Sequence, residues 1–268
     1  MLGEITVSSR AHLAPLDDDR EAEIQASDGV TLRADWWPED NRRAAAVMLL
    51  HGVSDTRRGM GGHVRFLREA GYAVLSMDAR GHGASAAPLI SYGVLERRDV
   101  AEWAAWLRAQ PNVERVYGLG ASMGGAILLQ SLPLARIDAA VAECAFSNFP
   151  AVAYHRVGQR VGLSERTARW IVWPLVEPAL AWVRLRHGLD LRSASAEIGL
   201  RESTTPVLLI HGTRDTNIPP EHGERLARAR PSAVEIWRPA EATHVDALSA
   251  APEEYRRRVL EFLVRQGR

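Results

Sequence analysis

Lysine is missing altogether from this 268-residue chain, whose 33 basic residues are all arginine. A Schiff-base lysine, a Walker-type phosphate loop and a Ser–Lys dyad are therefore excluded. Cysteine occurs once, as Cys144, so no disulfide can form within the chain, and a reducing cytoplasmic setting is expected. Formal net charge is +0, which gives no sign of a nucleic-acid or anionic-membrane partner. No uninterrupted apolar run approaches the roughly 20 residues that a membrane span needs. Met1 to Ile5 carry neither a basic start nor an apolar stretch, so no secretory signal is expected. The sequence holds no repeat and no low-complexity segment.

What the chain does hold is a regular alternation. Glu21 to Trp37 reads as a hairpin turning at Ser27-Asp28-Gly29, because Asp-Gly between alternating runs favours a two-residue turn. Ala44–Leu50 is a continuous apolar run, read as a buried strand of a parallel sheet, and Tyr72–Met77, Val113–Leu119, Ile137–Ala145, Pro206–Ile210 and Val234–Arg238 read as further strands. Amphipathic stretches at His63–Ala70, Val94–Ala109, Met123–Leu134, Pro220–Arg230 and Glu253–Gln266 read as the helices between and after them. Trp103 and Trp106, three apart, are expected in the core rather than on a ligand platform. Strands alternating with helices imply a doubly covered parallel sheet, whose ligands sit outside the carboxyl ends of the strands.

The chemistry concentrates at those ends. Gly120-x-Ser122-x-Gly124 lies between a strand and a helix, where a serine is pinched into a nucleophile elbow. The turn leaves no room for bulk two residues either side, and the new helix aims its first N–H groups and positive dipole end at the hydroxyl. With no lysine, the base for Ser122 is expected to be a histidine. His244 lies in the last loop before the last helix, and the order Ser122, Asp215, His244 suits this architecture. His244 would take the hydroxyl proton and later give it to the leaving group, while Asp215 would fix the imidazole tautomer. The backbone N–H groups of Met123 and Val53 are the expected oxyanion donors, with Ser54 as the alternative to Val53. His51, His82 and His211 also stand on edge loops, but each precedes glycine in a turn, and His51 is read as a hydrogen-bonded loop residue. Asp246 and Glu143 rival Asp215; Asp246 is too close to His244 in sequence to reach its far nitrogen easily. Asp78 and Arg80 are expected to brace their loop with charged hydrogen bonds.

Residues 147–204 break the rhythm. Ser164 is the expected N-cap of a helix running through Trp173, and Pro174 and Pro178 are expected to interrupt the apolar run that follows. A stretch this long between strands reads as a helical cap or lid insertion. The alternatives are an amphipathic pair packed on the core or a homodimer contact. The domain reading is an N-terminal arm at 1–20, whose acidic run Asp17-Asp18-Asp19 is taken as solvated, a core at 21–146 and 205–268, and the cap at 147–204.

His51-Gly52-Val53, Asp78-x-Arg80-Gly81-His82-Gly83-x-Ser85, Gly120-x-Ser122-x-Gly124, His211-Gly212-x-x-Asp215 and the late His244 follow one another in an order that resembles the α/β-hydrolases of the serine-esterase type. The resemblance spans roughly residues 21–268. It implies an α/β-hydrolase fold with a mostly parallel eight-stranded sheet, no cofactor, and acyl transfer to water; no metal site is expected from the residues. Thioesterases, lipases, peptidases and cofactor-free haloperoxidases share the fold, so the motifs do not select a substrate. The reading is a carboxylic-ester hydrolase acting on small-molecule esters, the Trp-rich cap suggesting an apolar or aromatic acyl group. Trimming Trp170 or Trp173 is then expected to change chain-length preference. Thioester, lipid-ester or amide cleavage, and a ligand-sensing scaffold with little turnover, stand as alternatives.

Overall fold

The alternation of side chains within each strand decides which helices cover which face of the sheet. A computed structural model describes residues 19–40, 43–163, 167 and 170–267. The strands are β1 Arg20–Gln25, β2 Thr31–Trp37, β3 Ala44–Leu50, β4 Ala73–Met77, β5 Val113–Ala121, β6 Ala139–Glu143, β7 Val207–Ile210 and β8 Val234–Trp237. They form one sheet in the order β1-β2-β4-β3-β5-β6-β7-β8. β2 runs antiparallel to β1 and β4, and every other pairing is parallel.

Nine α-helices are described: α1 Gly61–Glu69, α2 Glu96–Arg108, α3 Met123–Ser131, α4 Phe149–Arg160, α5 Trp173–His187, α6 Ala196–Arg201, α7 Pro220–Ala229, α8 Ala247–Ala250 and α9 Pro252–Gln266. On β3, Ala46, Met48 and Leu50 point to the layer holding Val100, Trp103, Leu107, Ile127 and Leu128 of α2 and α3. Val47 and Leu49 point the other way, to Val64 and Leu67 of α1 and Val259, Phe262 and Leu263 of α9. A strand buried on both faces must be apolar, which is why β3, β4, β6 and β7 read as runs, while β5 becomes apolar only from Val116, past the less buried Glu114 and Arg115. Trp103 is fully buried and meets Trp106 edge to face at 5.6 Å, so this pair is core as its spacing predicts.

Strand order reverses between β3 and β5, and there the loops leaving adjacent parallel strands diverge and open a crevice. The loops at residues 51–54 and the turn at Ser122 flank that point.

The structure adjusts several expected boundaries. β6 stops at Glu143 because Cys144 takes φ 49°, a left-handed turn that ends pairing. Ser164 lies outside the described residues. Pro174 and Pro178 do not interrupt the helix; α5 runs from Trp173 to His187 through both. Pro174 stands in the first turn, where its missing N–H would be unpaired anyway, and Pro178 removes one bond that packing of Val176 and Leu180 compensates. The stretch 147–204 divides in two. α4 and α5 share a small cluster of Tyr154, Val172, Val176, Leu180 and Leu191, separate from the main core. α6 instead packs on α3: Ala196 and Leu200 are buried with Leu129, and a Cβ on Gly199 would come 2.2 Å from the Leu129 carbonyl oxygen. Among the described residues, no helix is long and apolar enough to cross a membrane.

Candidate active site

Ser122 links β5 to α3 with φ 53° and ψ −114°, a conformation that non-glycine residues rarely hold. The close packing of the elbow explains its glycines. A Cβ on Gly120 would lie 2.6 Å from the Gly124 carbonyl, and one on Gly124 would lie 2.3 Å from the Leu50 carbonyl oxygen. Both obstacles are backbone and cannot swing away. The strained turn is held from below by the Ser122 N–H, which donates to the Glu143 carbonyl at 2.8 Å.

Three of the residues singled out from chain order meet here. His244 Nε2 is 2.9 Å from Ser122 Oγ, and His244 Nδ1 is 2.7 Å from Asp215 Oδ2. Asp215 is buried, and its other oxygen accepts the N–H groups of Asn217 and Ile218, each at 2.9 Å. Burial by itself would raise the Asp215 pKa. The hydrogen bond and charge of His244, with the Ile218 N–H, outweigh it and hold the carboxyl below its ordinary value. An ionised Asp215 accepts a hydrogen bond from Nδ1–H, so the ring proton stays on Nδ1 and Nε2 is left as an acceptor facing the serine hydroxyl.

Met123 is the first residue of α3, and Gly52 lies beside the serine, its would-be Cβ 3.5 Å from Ser122 Cβ. Among the described residues, no hydrogen-bond acceptor takes the N–H of Val53 or Met123.

The rivals are occupied elsewhere. His51 Nε2 accepts the Ala79 N–H at 3.0 Å, so its Nδ1–H donates to the Gly52 carbonyl at 2.7 Å, and burial lowers its pKa. It ties the loop after β3 to the loop after β4. His211 donates from Nε2 to the Ile218 carbonyl at 2.8 Å and so holds the loop that carries Asp215. Asp246 accepts the Thr243 N–H at 2.7 Å and the Thr243 hydroxyl at 2.6 Å, bracing the His244 loop without reaching the imidazole. Asp78 accepts the N–H groups of Arg57 and Ala84, and Arg80 spans Asp99 and Asp28, so both brace their loop. Trp170 and Trp173, expected to wall an acyl pocket, are 79% and 53% exposed.

Two supports of the His244 loop escaped the sequence reading. Cys144 Sγ accepts the Val245 N–H at 3.5 Å. Glu143, weighed only as a rival acid, accepts the Ala247 N–H and the Tyr255 hydroxyl, both at 3.1 Å, and Tyr255 also meets His63 Nε2 at 3.0 Å. The signal was a carboxylate closing an apolar strand. Cys144, Asp215 and His244 also form a trio whose ligand atoms lie within 4.8 Å of one another. Their chemistry fits hydrogen bonding better than coordination: burial, with Glu143 and Asp215 nearby, pushes the thiol well above its ordinary pKa and keeps its proton on.

Burial raises the Glu143 pKa to about 7, against the opposing pull of the Ala247 N–H, the Tyr255 hydroxyl and His244. The folded chain therefore keeps this proton to higher pH than the unfolded chain does. Its contribution, about 3 kcal/mol, is present below the unfolded value near 4.5 and is lost as pH rises through about 7. Glu143→Gln, neutral at every pH, should flatten that decline. Thermal melts of the variant from pH 5 to 8 are expected to diverge upward from those of wild type; parallel curves would refute the assignment.

The sheet, its switch point and the elbow define a hydrolase fold. The sequence profile of the alpha/beta hydrolase family matches residues 47–258, and the chain belongs to that family. It is 27% identical over 221 residues to the uncharacterized protein YqkD of Bacillus subtilis (strain 168), covering 81% of this chain and 70% of that one. Among solved structures it resembles the Pyrococcus furiosus esterase Pf2001, with TM-score 0.73, 26% identity and 92% of each chain covered. The esterase EaEST of Exiguobacterium antarcticum, at TM-score 0.64 and 20% identity, covers 90% of this chain and 98% of its own and shares the fold.

Proposed function

We propose that this chain is a serine hydrolase that cleaves carboxylic esters through a seryl acyl-enzyme. The observation that carries this reading is the unbroken hydrogen-bond line from Ser122 Oγ through His244 to Asp215, at 2.9 and 2.7 Å. A serine hydroxyl is a poor nucleophile at neutral pH, and this line gives it a base already in the accepting tautomer. Ser122 Oγ attacks the ester carbonyl as its proton passes to His244 Nε2, and Asp215 stabilises the imidazolium. The N–H groups of Met123 and Val53 receive the oxyanion, each supplying about 3 kcal/mol of barrier lowering. Collapse expels the alcohol, which leaves with the proton from His244. Water then gives a proton to His244 and attacks the acyl group, and Ser122 is regenerated.

The substrates we assign are small-to-medium esters of apolar or aromatic acids, with residues 147–204 acting as a cap. Support comes from the apolar inner side of that segment, Val152, Tyr154, Val172 and Val176, and from the likeness to the Pyrococcus furiosus esterase. With Trp170 and Trp173 largely exposed, chain-length preference is expected to respond weakly to trimming either ring.

A ladder of p-nitrophenyl esters from acetate to decanoate, hydrolysed by wild type and by Ser122→Ala, tests the reading. Steady turnover that vanishes in the variant is the expected result, and the best chain length sizes the pocket. Equal rates in both proteins overturn the assignment of Ser122. No turnover in either shifts the assignment to thioesters, amides or ligand sensing.

A further inference from the structure

Zero net charge conceals an uneven distribution. Residues 147–204 contain eight arginines against five carboxylates, so the remainder of the chain carries the matching acidic excess. The same stretch has the largest uncovered apolar side chains: Trp170, Ile171, Trp173, Leu175, Trp182 and Leu185 are each more than half exposed, Leu185 by 89%. Seven and three residues separate Leu175, Trp182 and Leu185, which sets them on one face of α5. The other face, Val176 and Leu180, packs on Tyr154 and Leu191. A helix apolar on both faces is ordinarily covered on both. Here only the inner face is covered among the described residues, and an apolar patch of this kind marks an interaction site.

The charges on α5 say what covers it. Its one carboxylate, Glu177, is turned inward and held by Arg192 and by the Tyr154 hydroxyl, both at 2.5 Å. The last turn carries Arg184, Arg186 and His187, with Asp190 beyond the helix paired to Arg184 at 3.6 Å. Indole rings settle at the boundary between headgroups and acyl chains, and arginine lays its aliphatic stem along apolar surface while its guanidinium reaches phosphate. A helix face of tryptophan and leucine edged by arginine suits a bilayer surface. On the outer face the charge is Arg186, eleven residues after Leu175 and so on the same side of the helix, with no carboxylate of α5 beside it.

We propose that the outer face of α5, with Trp170 and Ile171 just before it, is a docking surface for an anionic lipid bilayer, on which the helix lies parallel to the membrane plane. This surface stands independently of the reaction assigned to Ser122.

Co-sedimentation of the full chain with vesicles tests it, using phosphatidylcholine alone and phosphatidylcholine mixed with phosphatidylglycerol, at about 0.1 M salt, where charges still act over about 10 Å. Binding to the anionic vesicles is expected to exceed binding to the neutral ones by about tenfold. Trp182→Glu/Leu185→Glu should abolish it while the thermal melt and p-nitrophenyl acetate turnover stay unchanged, since both side chains already face solvent. Absence of binding to either vesicle overturns the proposal, and equal binding to both overturns its anionic part. A dimer seen by light scattering that the double variant dissociates, without vesicle binding, assigns the face to a second copy instead.

Discussion

Asp215→Asn is expected to lower kcat about 10⁴-fold, with KM and the thermal melt close to wild type. The hydrogen bonds around Asp215 dictate why. One carboxylate oxygen accepts two backbone N–H groups, those of Asn217 and Ile218, and the other accepts the proton on His244 Nδ1. An asparagine must place its carbonyl against the two N–H donors, so its amide N–H₂ faces the imidazole. Nδ1 then has to accept, and the ring proton moves to Nε2, opposite the Ser122 hydroxyl. Two donors face each other where the base should be. The loss, about 5.5 kcal/mol of barrier, falls on the chemical step and not on binding. Initial-rate measurement on the preferred p-nitrophenyl ester checks it. A kcat within tenfold of wild type would mean that another group orients His244.

Arg80→Met is expected to destabilise the fold by 3–5 kcal/mol at pH 8, roughly 10 °C in melting temperature for a chain of this size. Arg80 and Asp99 are 4% and 1% exposed, and the guanidinium meets both Asp99 oxygens, at 2.7 and 2.5 Å, while its third nitrogen reaches Asp28 at 2.8 Å. Burial raises the Asp99 pKa to about 6 even with Arg80 beside it. Without Arg80 the carboxylate is a buried, uncompensated charge, and it escapes only by taking a proton. The destabilisation should therefore shrink as pH falls from 8 toward about 6, because without Arg80, which lowers the Asp99 pKa, the carboxyl takes its proton at higher pH still. Arg80→Met/Asp99→Leu, which removes both charges, should recover most of the loss at pH 8, because apolar residues of similar volume often replace a buried pair without penalty. Denaturant titrations at pH 5 and pH 8 measure all three quantities. A loss that is independent of pH, or a double variant as unstable as the single one, would refute the account.

Much of the fold was legible in the chain order. A strand buried on both faces must be apolar at every position, so β3, β4, β6 and β7 announced themselves as runs. The elbow was legible for a steric reason: Gly120 and Gly124 approach backbone too closely for any side chain, and that demand is local. Chain order also named the three residues that come within hydrogen-bond reach of one another, since parallel sheets collect the loops after their strands at one edge.

The supports of those residues were not legible. Glu143 and Tyr255 are 112 positions apart, and Cys144 and Val245 are 101 apart. No periodicity links such pairs, and they meet only because β6 ends beneath the last loop. The roll of the helices in 147–204 was not legible for a related reason. The tryptophans there suggested a pocket wall, but composition does not say which way a helix is rolled, and packing of Val176 and Leu180 on Tyr154 turned Trp182 and Leu185 outward. Proline positions misled as well, because propensity counts the lost N–H while tertiary contact decides whether the helix continues past it. By itself, then, the sequence determined what depends on neighbours along the chain: apolar runs, a turn too tight for side chains, the order of the edge loops. Only the tertiary structure decided what depends on neighbours in space, because the buried carboxylates and the roll of α5 are set by contacts between segments that no local pattern connects.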